Sequence, residues 1–291
     1  MSEQIGVMTR LRAARKHGAA LWIPLGIVAA YVVVAAVGPL VIGYDHVATA
    51  VADRLLSPGS TTSDGGTAWL GTDGLGRDVA SQIVYGARTS LIIATVAVTI
   101  SALVGMTVGA LAGLVGGWVD VVLSRIVDVL LTFPGVLLAI VVAGLFARGL
   151  PTVILSLSIT AWTPFARVAR NVTLSIKERE WVSAARLMGV RRPALLVRHV
   201  LPFVVPPMVA MATLEFALVV LAEAGLSFLG IGLPSGTPSW GQTVANGKEY
   251  LATAWWISAF PGIALFVLVV SVGLLGDQLS ARLGRNRRSP L

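Results

Sequence analysis

An all-α bundle of six membrane-crossing helices follows from three features of this 291-residue chain. Hydrophobic residues make up 56% of it and charged residues only 12%, about half of the ~25% usual in soluble domains. Apolar stretches recur along its length, and about 20 such residues in a helix cross a bilayer core about 30 Å thick. The basic residues fall between those stretches, mostly on one side. They account for the net charge of +8, but they form no continuous face with interleaved aromatics, so nucleic acid is excluded as a partner. The chain has no cysteine, which removes disulfides and thiolate metal sites.

In chain order, a basic amino-terminal segment (1–18) leads into a first span at 19–43. An extracytoplasmic loop (44–86) separates it from a bundle at 87–280, whose spans are expected at 89–116, 126–146, 150–166, 203–231 and 254–276. A basic tail (281–291) follows. Pro24, Pro39, Pro134 and Pro261 lie inside these windows, where packed neighbours can satisfy the freed carbonyls. Orientation follows from lysine and arginine placement. Seventeen of the 22 basic residues lie at the amino terminus, at Arg125, between spans four and five, or after span six. Arg54, Arg77, Arg88, Arg148 and Lys248 lie on the other side, so both termini are expected in the cytoplasm. The triplet Ala48-Thr49-Ala50 resembles a signal-peptidase site, but the apolar run before it is about 25 residues, against roughly 7–15 for a signal core.

The loop ends in G-T-D-G-L-G-R-D, Gly71 to Asp78. Its G-x-G follows no strand of a βαβ unit. Val84 stands twelfth from Asp73, where a calcium loop needs a bidentate Glu. A turn that caps the first bundle helix is the expected role.

Chemistry of the chain's own is missing. There is no G-x-x-x-x-G-K-[ST], and Lys16, Lys177 and Lys248 sit in no such frame, so the chain cannot cradle ATP phosphates. His17, His46 and His199 lie far apart, without a carboxylate at zinc-ligand spacing. No nucleophile elbow occurs. No cofactor is expected in this chain.

The most informative stretch is not a span. Ser175 and Glu178 read as a capping box that opens a helix, and Gly189 suits the left-handed residue that closes one. Between them Trp181, Ala184, Ala185 and Met188 recur at i, i+3, i+4, i+7, forming one apolar stripe. A helix of about 13 residues is marginal alone, so the stripe must dock, on the lipid surface or on a protein partner.

The wider pattern, Ser183-Ala184-Ala185, then Gly189, then His199-Val200-Leu201-Pro202, resembles the E-A-A-x3-G-x9-I-x-L-P loop of ABC importer permeases. G-T-D-G-L-G-R-D with Y-G-A-R-T-S-L from Tyr85, L-A-E-A-G-L-S-F-L-G-I-G-L from Leu221, P-S-W-G from Pro238, F-P-G from Phe260 and L-L-G-D from Leu274 are similar to the C-type subunit of the oligopeptide/dipeptide branch. Nickel and glutathione importers share these motifs.

The resemblance implies a type I, MetI-like bundle whose cytoplasmic loop, 167–202, docks in a groove of an ATPase. The coupling residues it points to are Glu180, Trp181, Ser183, Ala184, Ala185, Met188, Gly189, His199, Leu201 and Pro202. Two departures stand out: Ser183 replaces the family's Glu and His199 its Ile. Glu180, one turn earlier, is the candidate replacement carboxylate. The implied partners are a homologous B-type permease, one fused or two separate ATPase subunits that bind ATP and Mg, and an extracytoplasmic peptide-binding protein, for which Arg77 and Asp78 are docking candidates.

Glu215 and Glu223 lie in span five. An acid at mid-bilayer costs roughly 2.5–3.5 kcal/mol on insertion scales, so each must face the bundle interior or a wet cavity. Glu223 matches the branch pattern and Glu215 does not. Two readings of Glu215 stand open, a group that meets the cationic amino terminus of a passing peptide and a paired or protonated structural residue. A proton-coupled secondary transporter would use the two as a relay; an inert membrane scaffold would use neither.

Overall fold

A computed structural model describes residues 2–43, 49–234 and 236–286. His46, Ala48 of the cleavage-like triplet, and Arg287 and Arg288 of the basic tail lie outside the described residues. Five helices are long and apolar enough to cross a membrane: Leu21–Val41, Val79–Val115, Leu150–Lys177, Pro193–Phe228 and Trp256–Arg282. A sixth crossing is available only if a bent helix pair forms one broken span.

Helix α1 (Ser2–Val41) runs along the outside of the bundle and is held by one stripe. Pro24 and Ala35 are buried, Gly38 lies against Val84, and Tyr31 donates to the Ala264 carbonyl at 2.8 Å. The segment that follows is ordered by its polar groups. A 3₁₀ turn at Val51–Asp53 precedes a two-stranded antiparallel hairpin, β1 (Ser60–Thr61) and β2 (Thr67–Ala68). The Asp53 carboxylate accepts from the Ser63 amide and hydroxyl at 2.7 and 2.9 Å.

Helix α2 (Val79–Val115) is the central rod. Its Gly105, Gly109 and Gly113 face α5 (Leu150–Lys177). A Cβ on Gly105 would stand 2.5 Å from the Phe165 Cβ, and one on Gly113 would stand 2.8 Å from the Thr173 Cβ. Small residues four apart let two backbones touch, which is how helices gain contact in lipid, where burial of apolar surface gives no drive. Ser90, Ala94, Ala97 and Ser101 continue the buried face.

The expected third span, 126–146, is instead two helices. Helix α3 (Gly117–Thr132) and helix α4 (Gly135–Leu145) meet at Phe133-Pro134 with a bend of 92°. Proline cannot donate the backbone bond that would continue the helix. The fourth span is longer than the 150–166 window. Helix α5 continues to Lys177 because Arg167 and Arg170, which end the hydropathy window, pair with Asp128 and Asp120 of α3.

After α5 come a short helix α6 (Glu180–Leu187), a single turn α7 (Arg192–Leu195) and a π-helical turn, Leu196–Val200. Helix α8 (Leu201–Phe228) returns through the bundle. Helix α9 (Trp240–Gly247) buries Trp240, whose indole nitrogen donates to the Ile83 carbonyl at 2.9 Å. Its ring stands edge-on to Tyr31, 5.8 Å between centroids. Helix α10 (Trp256–Asn286) closes the fold.

Candidate functional site

The molecule has two ends with different chemistry. At the loop end, Asp73 accepts from the amides of Leu75 and Arg77 at 2.8 and 2.9 Å, and from Gln82 Nε2 at 2.9 Å. It also pairs with the Arg77 guanidinium, Nη2 lying 2.7 Å away. Arg77, at 11% side-chain exposure, is thus held in place. Asp78 caps α2, accepting from the Ser81 amide and hydroxyl at 2.8 and 2.6 Å. Its other carboxylate oxygen, Oδ1, is buried with no partner among the described residues. Trp256 donates to the Thr72 carbonyl. Beside this cap, Asp73, Arg77, Gln242, Asn246, Lys248 and Glu249 help line a cleft of about 430 Å³.

Glu223 is part of the same locked region. Fully buried, it accepts from the hydroxyls of Ser90, Ser227 and Ser239 at 2.7, 2.7 and 2.8 Å. The three serines come from α2, α8 and the residue before α9, so one carboxylate ties three elements together.

The other end carries α6. Ser175 and Glu178 do not open it. Ser175 lies inside α5 with its hydroxyl donating to the Val172 carbonyl, and Glu178 is the residue that ends α5. Burial of Ile176 carries α5 through the apparent capping box. Helix α6 starts at Glu180, and the Arg179 carbonyl accepts from the amides of Val182 and Ser183. It ends at Gly189, whose φ of +82° is the left-handed closure.

The expected stripe is divided between two faces. Ala185 turns inward beside fully buried Val182. Ala184 and Met188 turn outward with Leu187, which is 90% exposed. The physical reason is the support offered by the bundle: only one face of so short a helix reaches it, and Val182 and Ala185, at i and i+3, occupy that face. Trp181 bridges the two faces, its ring 6.1 Å from His199 and 5.7 Å from Phe203. Ser183, Glu180 and Pro202 are exposed, and Leu201 is half-buried. His199 Nδ1 is buried without a hydrogen-bond partner among the described residues, in a π-helical turn of the kind that concentrates at functional sites. Val182 and Leu187 are the residues that stripe counting missed; a V-x-x-A pair next to an exposed Leu was the available signal.

The α6 knob stands on stiff support. Arg170 Nη2 reaches Asp120 at 2.8 Å, Arg167 reaches Asp128 at 2.9 Å, and Lys177 donates to the Gly113 carbonyl at 3.2 Å. Together with the glycine contact these fasten α5 to α2 and α3.

Between α3, α4, α5 and α8 lies a cavity of about 500 Å³. Leu131, Phe133, Leu157, Thr160, Thr163 and Leu218 contribute to its wall, and Glu215 is its one ionisable group. Glu215 is 9% exposed and, among the described residues, has no hydrogen bond or ion pair. The two glutamates therefore part ways, one saturated and one bare. No group of three or more His, Asp or Glu suited to a metal ion occurs among the described residues.

A bundle of long apolar helices with a cavity open between α3, α4, α5 and α8, a clamped polar cap at one end and an exposed apolar knob at the other is the layout of a membrane permease component. Residues 105–285 match the family described as the binding-protein-dependent transport system inner membrane component. The dipeptide transport system permease protein DppC of Alkalihalophilus pseudofirmus is 32% identical over 263 residues, covering 90% of this chain and 84% of its own. The glutathione transport system permease protein GsiD of Shigella flexneri is 40% identical over 211 residues, covering 72% of this chain and 70% of its own. Among solved structures, the inward-facing MetNI methionine ABC transporter superposes with a TM-score of 0.57 at 22% identity, covering 68% of this chain and 95% of that one. The chain belongs to this family: it is an ABC importer permease, a multi-pass inner-membrane protein, of the peptide branch.

Proposed function

We propose that this permease carries small peptides inward, worked by ATP that partner subunits hydrolyse. One observation carries the coupling: a rigidly backed helix presents Ala184, Leu187 and Met188 outward, exposed among the described residues. The knob fits the groove of an ATPase, which binds ATP and Mg, whether as two subunits or one fused pair. A homologous B-type subunit completes the path. A peptide-binding protein docks over the cleft at the loop end, with Arg77 and Asp78 beneath it. Both termini lie in the cytoplasm with the knob.

Coupling requires an element whose position is biased from another site, and α6 on the end of α5 supplies one. Glu180, exposed at the start of α6, serves in place of the carboxylate that Ser183 lacks; a charge-reversal swap with an ATPase arginine restores coupling if this holds. A second solute reading rests on the glutathione permease relative. Glutathione is itself a small peptide with a free ammonium, so one class of solute covers both.

The test is Ala184→Arg in the importer reconstituted with its ATPase, partner permease and binding protein. The outward site tolerates the side chain in the membrane, whereas a bulky cation on the knob blocks docking, and peptide-stimulated ATP hydrolysis is lost. Normal stimulation refutes the coupling role. Ala185 is the wrong target for this purpose, because its burial makes Ala185→Arg a folding defect. Uphill uptake by this chain alone, without companion subunits, refutes the whole reading.

A further inference from the structure

We propose that Glu215 is a specificity-determining residue of the solute path, a solitary carboxylate that receives the free ammonium of a passing peptide. The inference rests on the peptide reading above. Three observations support it.

The first is the absence of any internal partner. Glu215 is more than nine-tenths buried and lines the cavity between α5, α8 and the α3–α4 bend, yet no donor of this chain reaches it among the described residues. Buried carboxylates are ordinarily satisfied, as Glu223 is by three hydroxyls two turns further along the same helix. A bare acid beside a saturated one on one helix marks a group kept for something that arrives.

The second is the kind of ligand the wall accepts. Thr160 and Thr163 line the same cavity and give their hydroxyl protons to the carbonyls of Leu157 and Thr160. Toward a ligand they are left with acceptor lone pairs only. A wall of acceptors with one carboxylate suits a donor carrying several N–H bonds, which is what an ammonium is. A carboxylate or phosphate would meet no side-chain nitrogen donor in that wall, only the amides at the start of α4.

The third is the number of ligating groups. A divalent cation demands about six oxygen ligands, and among the described residues this cavity offers one carboxylate. Apart from Thr160 and Thr163 the side chains of the wall are apolar, and the cavity's volume of about 500 Å³ lies within the range of small-ligand sites. Glu215 thus grips the one charge shared by all unblocked peptides, while the apolar wall tolerates varied side chains.

The experiment compares one peptide in two forms, with a free and with an acetylated amino terminus, in proteoliposomes holding the complete importer. The ratio of transport rates is measured for wild type, Glu215→Gln and Glu215→Asp. The binding protein's own preference is common to all three and cancels. Glu215→Gln lowers the free-to-acetylated ratio about tenfold, the loss of one charge-assisted hydrogen bond, while Glu215→Asp keeps most of it. Should Glu215→Gln fail to assemble, Leu218→Lys provides the same neutralisation from one turn away, and the ratio collapses likewise. A ratio within about twofold of wild type in the neutralised variants, the scatter of non-interacting sites, overturns the proposal. Loss of assembly in Glu215→Gln with an unchanged ratio in Leu218→Lys also overturns it, by making Glu215 a joint to the partner permease. A wild-type importer that moves neither peptide refutes the peptide reading instead, so the two failures are distinct.

Discussion

The loop end and the knob end are built from the same helices but by opposite rules. At the loop end two buried carboxylates each gather several donors: Asp73 takes Arg77, Gln82 and two amides, and Glu223 takes three hydroxyls, although Asp78 Oδ1 and Gln242 Oε1 find no partner among the described residues. Satisfied buried networks rigidify because loosening any member strands the others in a medium of low dielectric. At the knob end the elements are short, apolar residues stand open, and His199 keeps a buried nitrogen without a partner among the described residues. Segments with few buried contacts are drawn from the less stable part of a fold. The difference separates an end locked by buried carboxylates from an end whose short, exposed elements ride on the fastened end of α5 and pass a push into it.

Four substitutions sharpen or break this contrast. The largest effect is expected from Asp73→Ala, which leaves the Arg77 cation unpaired in a largely buried place; removing one partner of such a pair costs about 3–5 kcal/mol. Thermal unfolding in detergent should show a large drop, and an unchanged midpoint would mean the loop end is not locked by this carboxylate. Glu223→Gln keeps the volume but trades a charged acceptor for a neutral one, for a loss of about 1–3 kcal/mol, read in the same assay. His199→Ile works in the other direction. Removing the orphaned nitrogen at the knob end is expected to raise stability by about 1 kcal/mol, and a fall would place an unseen donor or acceptor against His199. Arg167→Gln is the smallest: its pair with Asp128 is half exposed on both sides, and such pairs contribute about 0–1 kcal/mol.

The spans were legible because bilayer thickness imposes a length that hydropathy can count. What hydropathy cannot see is direction. The window 126–146 is continuous in composition across Phe133-Pro134, yet the chain turns there by 92°. Nor does it see pairing across the fold: Arg167 and Arg170 ended the fourth window, although Asp128 and Asp120 let the helix run on to Lys177. The capping box at Ser175 had the right letters, but burial of Ile176 overrode them. On α6 the heptad count found the helix and Gly189 but assigned one face where the fold makes two. The clasp on Glu223 was out of reach, since Ser90 is 133 positions away. G-x-x-x-G-x-x-x-G at Gly105, Gly109 and Gly113 was in plain view as a close-packing signal, and it marks a close backbone contact between α2 and α5.

That contact is off-centre, and geometry follows from it. The three glycines meet α5 along a seam from Trp162 to Thr173, nearer its Lys177 end, so the stretch back to Leu150 is the longer free part of the helix. That part is not idle: the amide of Gly149 is bonded to the carbonyl of Gly232 at 2.7 Å. A push at the Lys177 end therefore moves α5 together with α2 and α3 and reaches the exit of α8 through that bond, beyond the bare glutamate.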